Sequence, residues 1–145
     1  MIAIGSDHAG FEFKKRICKL LDDLDNKYID VGTFNQESCD YPDYAKLVAN
    51  SIIEKKSDKG ILICGSGIGM SIAANRYKGI RAALCWSEEI AKASRRHNDS
   101  NVLVLGERFT PWIEIEKIVK IWLQTDFEGS RHINRINKID RLLVN

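Results

Sequence analysis

Gly60-Ile61-Leu62-Ile63-Cys64-Gly65-Ser66-Gly67-Ile68-Gly69 is the stretch that decides the fold. Its first half is continuously apolar and short, which reads as a strand buried on both faces. Its second half sets three glycines in five residues where that strand must turn into a helix, expected from about Met70 to Tyr77. A strand buried on both faces belongs in a parallel sheet covered by helices on each side. The chain on either side repeats the unit. Upstream, Met1 to Gly5 reads as a strand. Phe13, Ile17, Leu20, Leu21 and Leu24 then mark one face of a helix over Phe11 to Asp25, and Tyr28 to Val31 reads as a second strand. A polar loop, Thr33 to Asp40, leads to a helix in which Pro42 suits the first turn and Leu47, Val48 and Ile52 carry the apolar face to about Lys56. Downstream, Ile80 to Cys85 is the fourth strand. Ser87 followed by Glu88 and Glu89 reads as the cap and acidic first turn of a helix ending near Arg96. Asn101 to Leu105 is the fifth strand. Pro111 opens a helix bearing Ile115, Ile118, Val119 and Trp122, and a last helical pattern runs from about His132 to Leu143. Five β-α units and an extra C-terminal helix imply an α/β fold: a three-layer αβα, Rossmann-like domain with a five-stranded parallel sheet. Residues 1–145 are expected to form one domain.

Composition fits that reading and narrows the function. A chain of 145 residues, 44% hydrophobic and 29% charged, is long enough for one core and ordinary for a globular protein. A net charge of +2 offers no broad basic field for a polyanion, so no nucleic-acid partner is expected. The apolar runs are too short to cross a bilayer, and Met1-Ile2-Ala3-Ile4-Gly5 carries no basic leader pattern, so no membrane or export role is expected. Cys18, Cys39, Cys64 and Cys85 form no C-x-x-C pair and no metal-ligand spacing with the three histidines. Reduced thiols in a cytoplasmic setting are the simplest expectation.

In such folds ligands gather beyond the C-terminal ends of the strands. There the sequence places Ser6-Asp7-His8 after strand one, Cys64 and the glycine loop after strand three, and Gly106-Glu107-Arg108 after strand five. The loop lacks the third glycine of G-x-G-x-x-G, since Met70 stands in its place, and no G-K-[ST] follows. What remains is either a turn that needs glycine for backbone reasons or a run of N–H groups able to hold an oxyanion. Cys64 is either a core thiol or a proton acceptor set beside a helix N-terminus, which favours negative charge. Asp7 is either a helix cap or a ligand for substrate. His97-Asn98 close the fourth helix and precede strand five, so they lie at the opposite edge of the sheet, roughly 15 Å or more from Cys64. They can join Cys64 only through a second subunit. Arg131, Arg135 and Lys138 share a helix face, either as a solvated stripe or as a phosphate clamp.

Five pieces of the chain together resemble the type B ribose-5-phosphate isomerases, in the group that includes galactose-6-phosphate and allose-6-phosphate isomerases. They are Gly5-Ser6-Asp7-His8-Ala9-Gly10-Phe11, Asp40-Tyr41-Pro42, Cys64 through Asn75, Arg95-Arg96-His97-Asn98-Asp99-Ser100-Asn101-Val102-Leu103 and Gly129-Ser130-Arg131-His132. The resemblance implies an aldose–ketose isomerase that interconverts ribose 5-phosphate and ribulose 5-phosphate with no cofactor and no metal. It implies that His97 opens the furanose ring and that Cys64 moves a proton from C2 to C1 through a cis-enediolate. The backbone of Gly65, Gly67, Ile68 and Gly69 would stabilise that anion, and Ser66 would pass a proton between its oxygens. Asp7 and Asn98 would hold sugar hydroxyls, and His8, Arg108, Arg131 and Arg135 the phosphate. Some relatives use a glutamate just after the loop as the base. Here Met70 holds that position, which leaves Cys64.

The expected partners are a sugar phosphate and a second copy of the chain, as a homodimer with shared sites or as a tetramer. No residue decides the sugar. Galactose-6-phosphate isomerases use two different chains, whereas this one carries a full set of site residues, which favours ribose 5-phosphate. A non-enzymatic nucleotide-binding module on the same fold is the rival class. It predicts tight ATP or NAD binding without turnover, and leaves Cys64, His97 and the arginine pair without a shared purpose.

Overall fold

The computed structural model describes residues 1–142. The elements are β1 (Ile2–Ser6), α1 (Phe11–Asp23), β2 (Tyr28–Asp30), α2 (Tyr41–Ile53), β3 (Lys59–Cys64), α3 (Ile68–Ala74), β4 (Ala82–Leu84), α4 (Glu88–Asn98), β5 (Val102–Gly106), α5 (Trp112–Gln124) and α6 (Arg131–Leu142). The five strands are parallel in the order β2-β1-β3-β5-β4. Leu143, expected at the end of the last helix, lies outside the described residues.

The sheet's period of two divides the core. Ile2, Ile4, Ile61, Ile63, Leu103 and Leu105 face one side and meet Ile17, Leu20 and Leu21 of α1 and Ile115, Ile118, Val119 and Trp122 of α5. Ala3, Leu62, Cys64, Val102 and Val104 face the other side and meet Val48 of α2 and Met70 of α3. The crossovers therefore change face between β1 and β3. That reversal is the switch point at which a parallel sheet leaves a crevice at its C-terminal edge.

Two boundaries differ from the sequence reading for physical reasons. The fourth strand spans three residues rather than the six of Ile80 to Cys85, and each of them is half-buried. As an edge strand it has one neighbour, and Arg81 turns instead to Asn101 and Asp99: its N–H donates to Asn101 Oδ1 (2.8 Å) and its guanidinium to Asp99 Oδ2 (3.0 Å). The short third helix starts at Ile68, inside the glycine loop, and ends at Ala74. Gly67 takes a left-handed conformation (φ 79°, ψ −17°) that turns the chain within one residue, a conformation open to glycine at little cost. A Cβ there would also lie 2.4 Å from Leu84 Cδ1. Ser87 caps α4 as its sequence suggests, accepting from the Ile90 N–H at 3.4 Å. No helix among the described residues is long and apolar enough to cross a membrane.

Candidate functional site

Asp7, His8, Tyr41, Cys64, Gly65, Ser66, Gly69 and Arg108 line one open cleft of about 270 Å³. The strand register explains the gathering. Ser6 pairs with Ile63 and Cys64 with Gly106, so the residues that follow β1, β3 and β5 emerge at one level. Asp7 prolongs the pairing through its N–H, which donates to the Ile63 carbonyl at 3.2 Å. Its buried carboxylate accepts the Gly10 N–H at 3.0 Å, but Gly10 is itself the N-cap of α1 and no side chain caps that helix, so Asp7 braces the turn before the helix instead of capping it. One oxygen does that work, leaving the other for a ligand in the cleft. His8 is held by Cys39, whose backbone N–H and carbonyl oxygen both lie 3.2 Å from Nδ1. That contact fixes the ring and leaves Nε2 for the cleft.

The glycine loop wraps the thiol. Cys64 is buried at the last position of β3, and the Gly67 N–H donates to its Sγ at 3.1 Å. The Ser66 hydroxyl accepts the Ile68 N–H at 3.2 Å. The Ile68 side chain points outward, 57% exposed. The next N–H groups open α3, where a helix has no intrahelical acceptor to offer them. The Arg108 guanidinium lies over Gly65, with Cζ 3.2 Å from where a Cβ would sit. At Gly69 a Cβ would lie 2.5 Å from Tyr41 Cζ, so the absence of a side chain lets Tyr41 close one wall. Beside the cleft, burial pushes the Glu107 carboxyl above its usual range, and the charges of Glu12 and Asp7 push the same way.

The remaining site residues stand elsewhere. His97 and Asn98 end α4, before β5. Gly60 pairs with Val102 and Cys64 with Gly106, so four residues of strand, about 13 Å, separate even Val102 from the level of the thiol. Asn98 lines a separate cleft of about 450 Å³ with Arg81, Ile139 and Asp140, in which Arg81 lies 3.6 Å from Asp140. Arg131 and Arg135 are exposed on α6, one turn apart. The structure thus brings together Asp7, His8, Cys64, Ser66 and Arg108, and keeps His97, Asn98, Arg131 and Arg135 as a second group at the other end of the sheet. The end of α4 is held firmly. Buried Arg95 donates to the Thr125 carbonyl (3.2 Å), the Ser100 carbonyl (2.6 Å) and Asp99 Oδ1 (2.8 Å), and Asp99 ends the helix at φ 44°.

Three residues escaped the sequence reading. His132 is 5% exposed and stacks on His97 with ring centroids 4.8 Å apart. Its spacing one turn before the apolar Ile136, on one face of the last helix, was the available signal. Glu128 lies beside the pair, with Oε2 3.8 Å from His97 Nε2 and 3.0 Å from an Arg96 nitrogen. Cysteine and histidine spacing gave no ligand set, but the fold gathers His97, Glu128 and His132 with ligand atoms within 4.8 Å of one another. Burial pushes the Glu128 carboxyl up, but Arg96, Arg131 and the two histidines outweigh it and hold it below its usual range. Burial, then the charges of Arg131, His97 and Arg135, pull His132 below the ordinary imidazole value. The third is Tyr41, present only inside a motif.

A family model described as Ribose/Galactose Isomerase matches residues 2–139. The ribose-5-phosphate isomerase B of Escherichia coli is 45% identical over 138 residues, covering 95% of this chain and 93% of that protein. The Clostridium thermocellum ribose-5-phosphate isomerase B superposes with a TM-score of 0.96 at 45% identity, over 97% of this chain and 95% of the other. The Mycoplasma genitalium enzyme, solved with bound ribulose-5-phosphate, superposes with a TM-score of 0.93 at 44% identity, over 97% and 94%.

Proposed function

This chain belongs to the ribose/galactose isomerase family, and on that premise we propose that it interconverts ribose 5-phosphate and ribulose 5-phosphate through a cis-enediolate. The observation that carries the reading is the cleft at the switch point, where a buried thiol, a hydroxyl, a carboxylate, an imidazole and a guanidinium converge. The Cys64 thiolate takes the C2 proton of the open-chain aldose and returns it at C1. N–H groups of Gly65 to Gly69 meet the negative charge that develops on the enediolate oxygens. Ser66 carries the proton between O1 and O2. Asp7 holds sugar hydroxyls, and His8 and Arg108 hold the phosphate.

The ring-opening imidazole, His97, comes with Asn98, Arg131 and Arg135 from a second copy of the chain in a homodimer. The length of the sheet favours this arrangement, because no side chain spans it. Exposed apolar side chains at both ends favour it too. Ile68, Trp86 and Phe109 line a neighbouring pocket that shares Ser66 with the cleft, and Ile133 and Ile139 stand out from α6. Four free cysteines fit a reducing, cytoplasmic setting. The test is turnover of ribose 5-phosphate beside allose 6-phosphate and galactose 6-phosphate. Preferred turnover of ribose 5-phosphate supports the assignment, and preference for either hexose phosphate overturns it.

Arg131→Ala and Arg135→Ala are each expected to raise KM for ribose 5-phosphate with little change in kcat. Loss of a charge-assisted contact is worth about 1.5–3 kcal/mol, or roughly ten- to a hundredfold. Steady-state kinetics check this, and normal KM in both variants would leave the arginines as a solvated stripe. Activity is also expected to survive exhaustive chelation, because backbone donors meet the enediolate charge. Loss of turnover after EDTA that a divalent ion restores would contradict it.

A further inference from the structure

We infer that His97, Glu128 and His132 form a binding site for a nitrogen-seeking divalent ion such as Zn2+, and that its occupation inhibits the enzyme by capturing the ring-opening imidazole. The metal-binding claim stands on geometry alone, and the inhibition rests on the role proposed above for His97.

Two independent observations point to a ligand. The three donor atoms lie within 4.8 Å of one another. His132 Nε2 is buried and has no hydrogen-bond partner among the described residues. A buried polar atom without a partner is uncommon in folded proteins, and an unbound ion is one standard cause. Two histidines and one glutamate, with a fourth position open to water, is an established zinc donor set.

To close the cluster the His97 ring must swing out of its stack on His132, because an imidazole nitrogen binds a metal in the plane of its ring and the two planes now lie 21° apart. Bonds of 2.0–2.1 Å in a tetrahedron put ligand atoms about 3.3 Å apart. His97 Nε2 and Glu128 Oε2 are already 3.8 Å apart. Both side chains are partly exposed, 43% and 31%, so they can move toward the fixed His132. The backbone around Glu128 is held in place: its N–H donates to the Arg96 carbonyl at 3.0 Å, and the His132 N–H donates to the Gly129 carbonyl at 3.1 Å.

The surroundings set the selectivity. Arg96 and Arg131 both contact Glu128, and Arg135 adds positive charge from α6. A carboxylate has lone pairs enough for an arginine and a metal together. The cationic surroundings nevertheless disfavour ions held mainly by charge. Mg2+ and Ca2+ prefer all-oxygen sites and bind weakly here, whereas Zn2+, Ni2+ and Cu2+ gain from two imidazoles. Once the metal is held, His97 Nε2 has no lone pair left for the sugar ring.

The test is titration of the metal-free homo-oligomer with Zn2+ by calorimetry and with Co2+ by absorption, alongside isomerase assays. The expected result is one ion per chain in wild type and in Cys64→Ser, with cobalt bands free of sulfur-to-metal charge transfer. Affinity should fall at least tenfold in Glu128→Gln and His97→Asn. Those two side chains are partly exposed, so the test does not depend on whether a His132→Gln protein folds. Mg2+ should not compete. Unchanged affinity in both variants, or loss of binding in Cys64→Ser, would overturn the site. Zn2+ should also suppress wild-type turnover until a chelator is added. Zinc binding at this site without any loss of turnover would uphold the metal site and remove His97 from ring opening.

Discussion

The Cys64→Ala protein is expected to fold and bind ribose 5-phosphate but to isomerise it only very slowly. Removing the base that carries the proton between C2 and C1 is expected to lower kcat by ~10²–10⁴-fold. The stability cost should be on the order of 1 kcal/mol, because the change deletes one sulfur atom from the edge of the core. The thiol's partner is the Gly67 N–H at 3.1 Å, a loop donor that solvent or substrate can satisfy in the variant. Proton exchange at C2, followed by NMR in deuterated water, is the specific readout. It should vanish along with turnover while the thermal unfolding midpoint shifts little. Exchange at the wild-type rate would remove Cys64 from the role of base. Met70, which follows the loop's last glycine, cannot take a proton in its place.

The second large effect separates ring opening from proton transfer. His97→Asn is expected to lower kcat on ribose 5-phosphate by ~10²-fold or more, since the aldose rests as a closed furanose. Ribulose 5-phosphate has its C5 oxygen blocked by phosphate and stays open-chain. It therefore bypasses the step that His97 serves. The same variant should exchange the C1 proton of ribulose 5-phosphate with solvent at close to the wild-type rate, whereas Cys64→Ala should exchange neither substrate. Equal loss of both exchanges in His97→Asn would show that the imidazole does more than open the ring.

Much of this arrangement is legible in the chain because it follows from strand ends. Apolar runs locate β1, β3 and β5, and residues just past a parallel strand must emerge at the C-terminal edge. The positions of Asp7, Cys64 and Arg108, each just past a strand, therefore place them together from the sequence alone. The same logic put His97 at the far edge, where α4 ends. Other features were hidden because they depend on packing between distant segments. Glu128 belongs to no repeat or motif and becomes a neighbour of His97 only when the α5–α6 connection folds back on the end of α4. Lys14 of α1 is 1% exposed and lies 2.6 Å from Asp30 Oδ2. Burial of such a lysine requires a carboxylate from another element, and no local pattern announces it. The shortness of β4 likewise follows from its place at the sheet edge, which its composition does not reveal.

The proposed active site joins the thiol of one chain to the imidazole of another. It is tested most directly by mixing the two inactive variants, Cys64→Ala and His97→Asn, under conditions where subunits exchange. Each mixed dimer holds one site with both residues intact and one with neither. With random exchange half the dimers are mixed, so activity on ribose 5-phosphate should return to about a quarter of wild type. Exchange verified by mass or a fluorescent label, with no return of activity, would place Cys64 and His97 in a site within one chain and contradict the account.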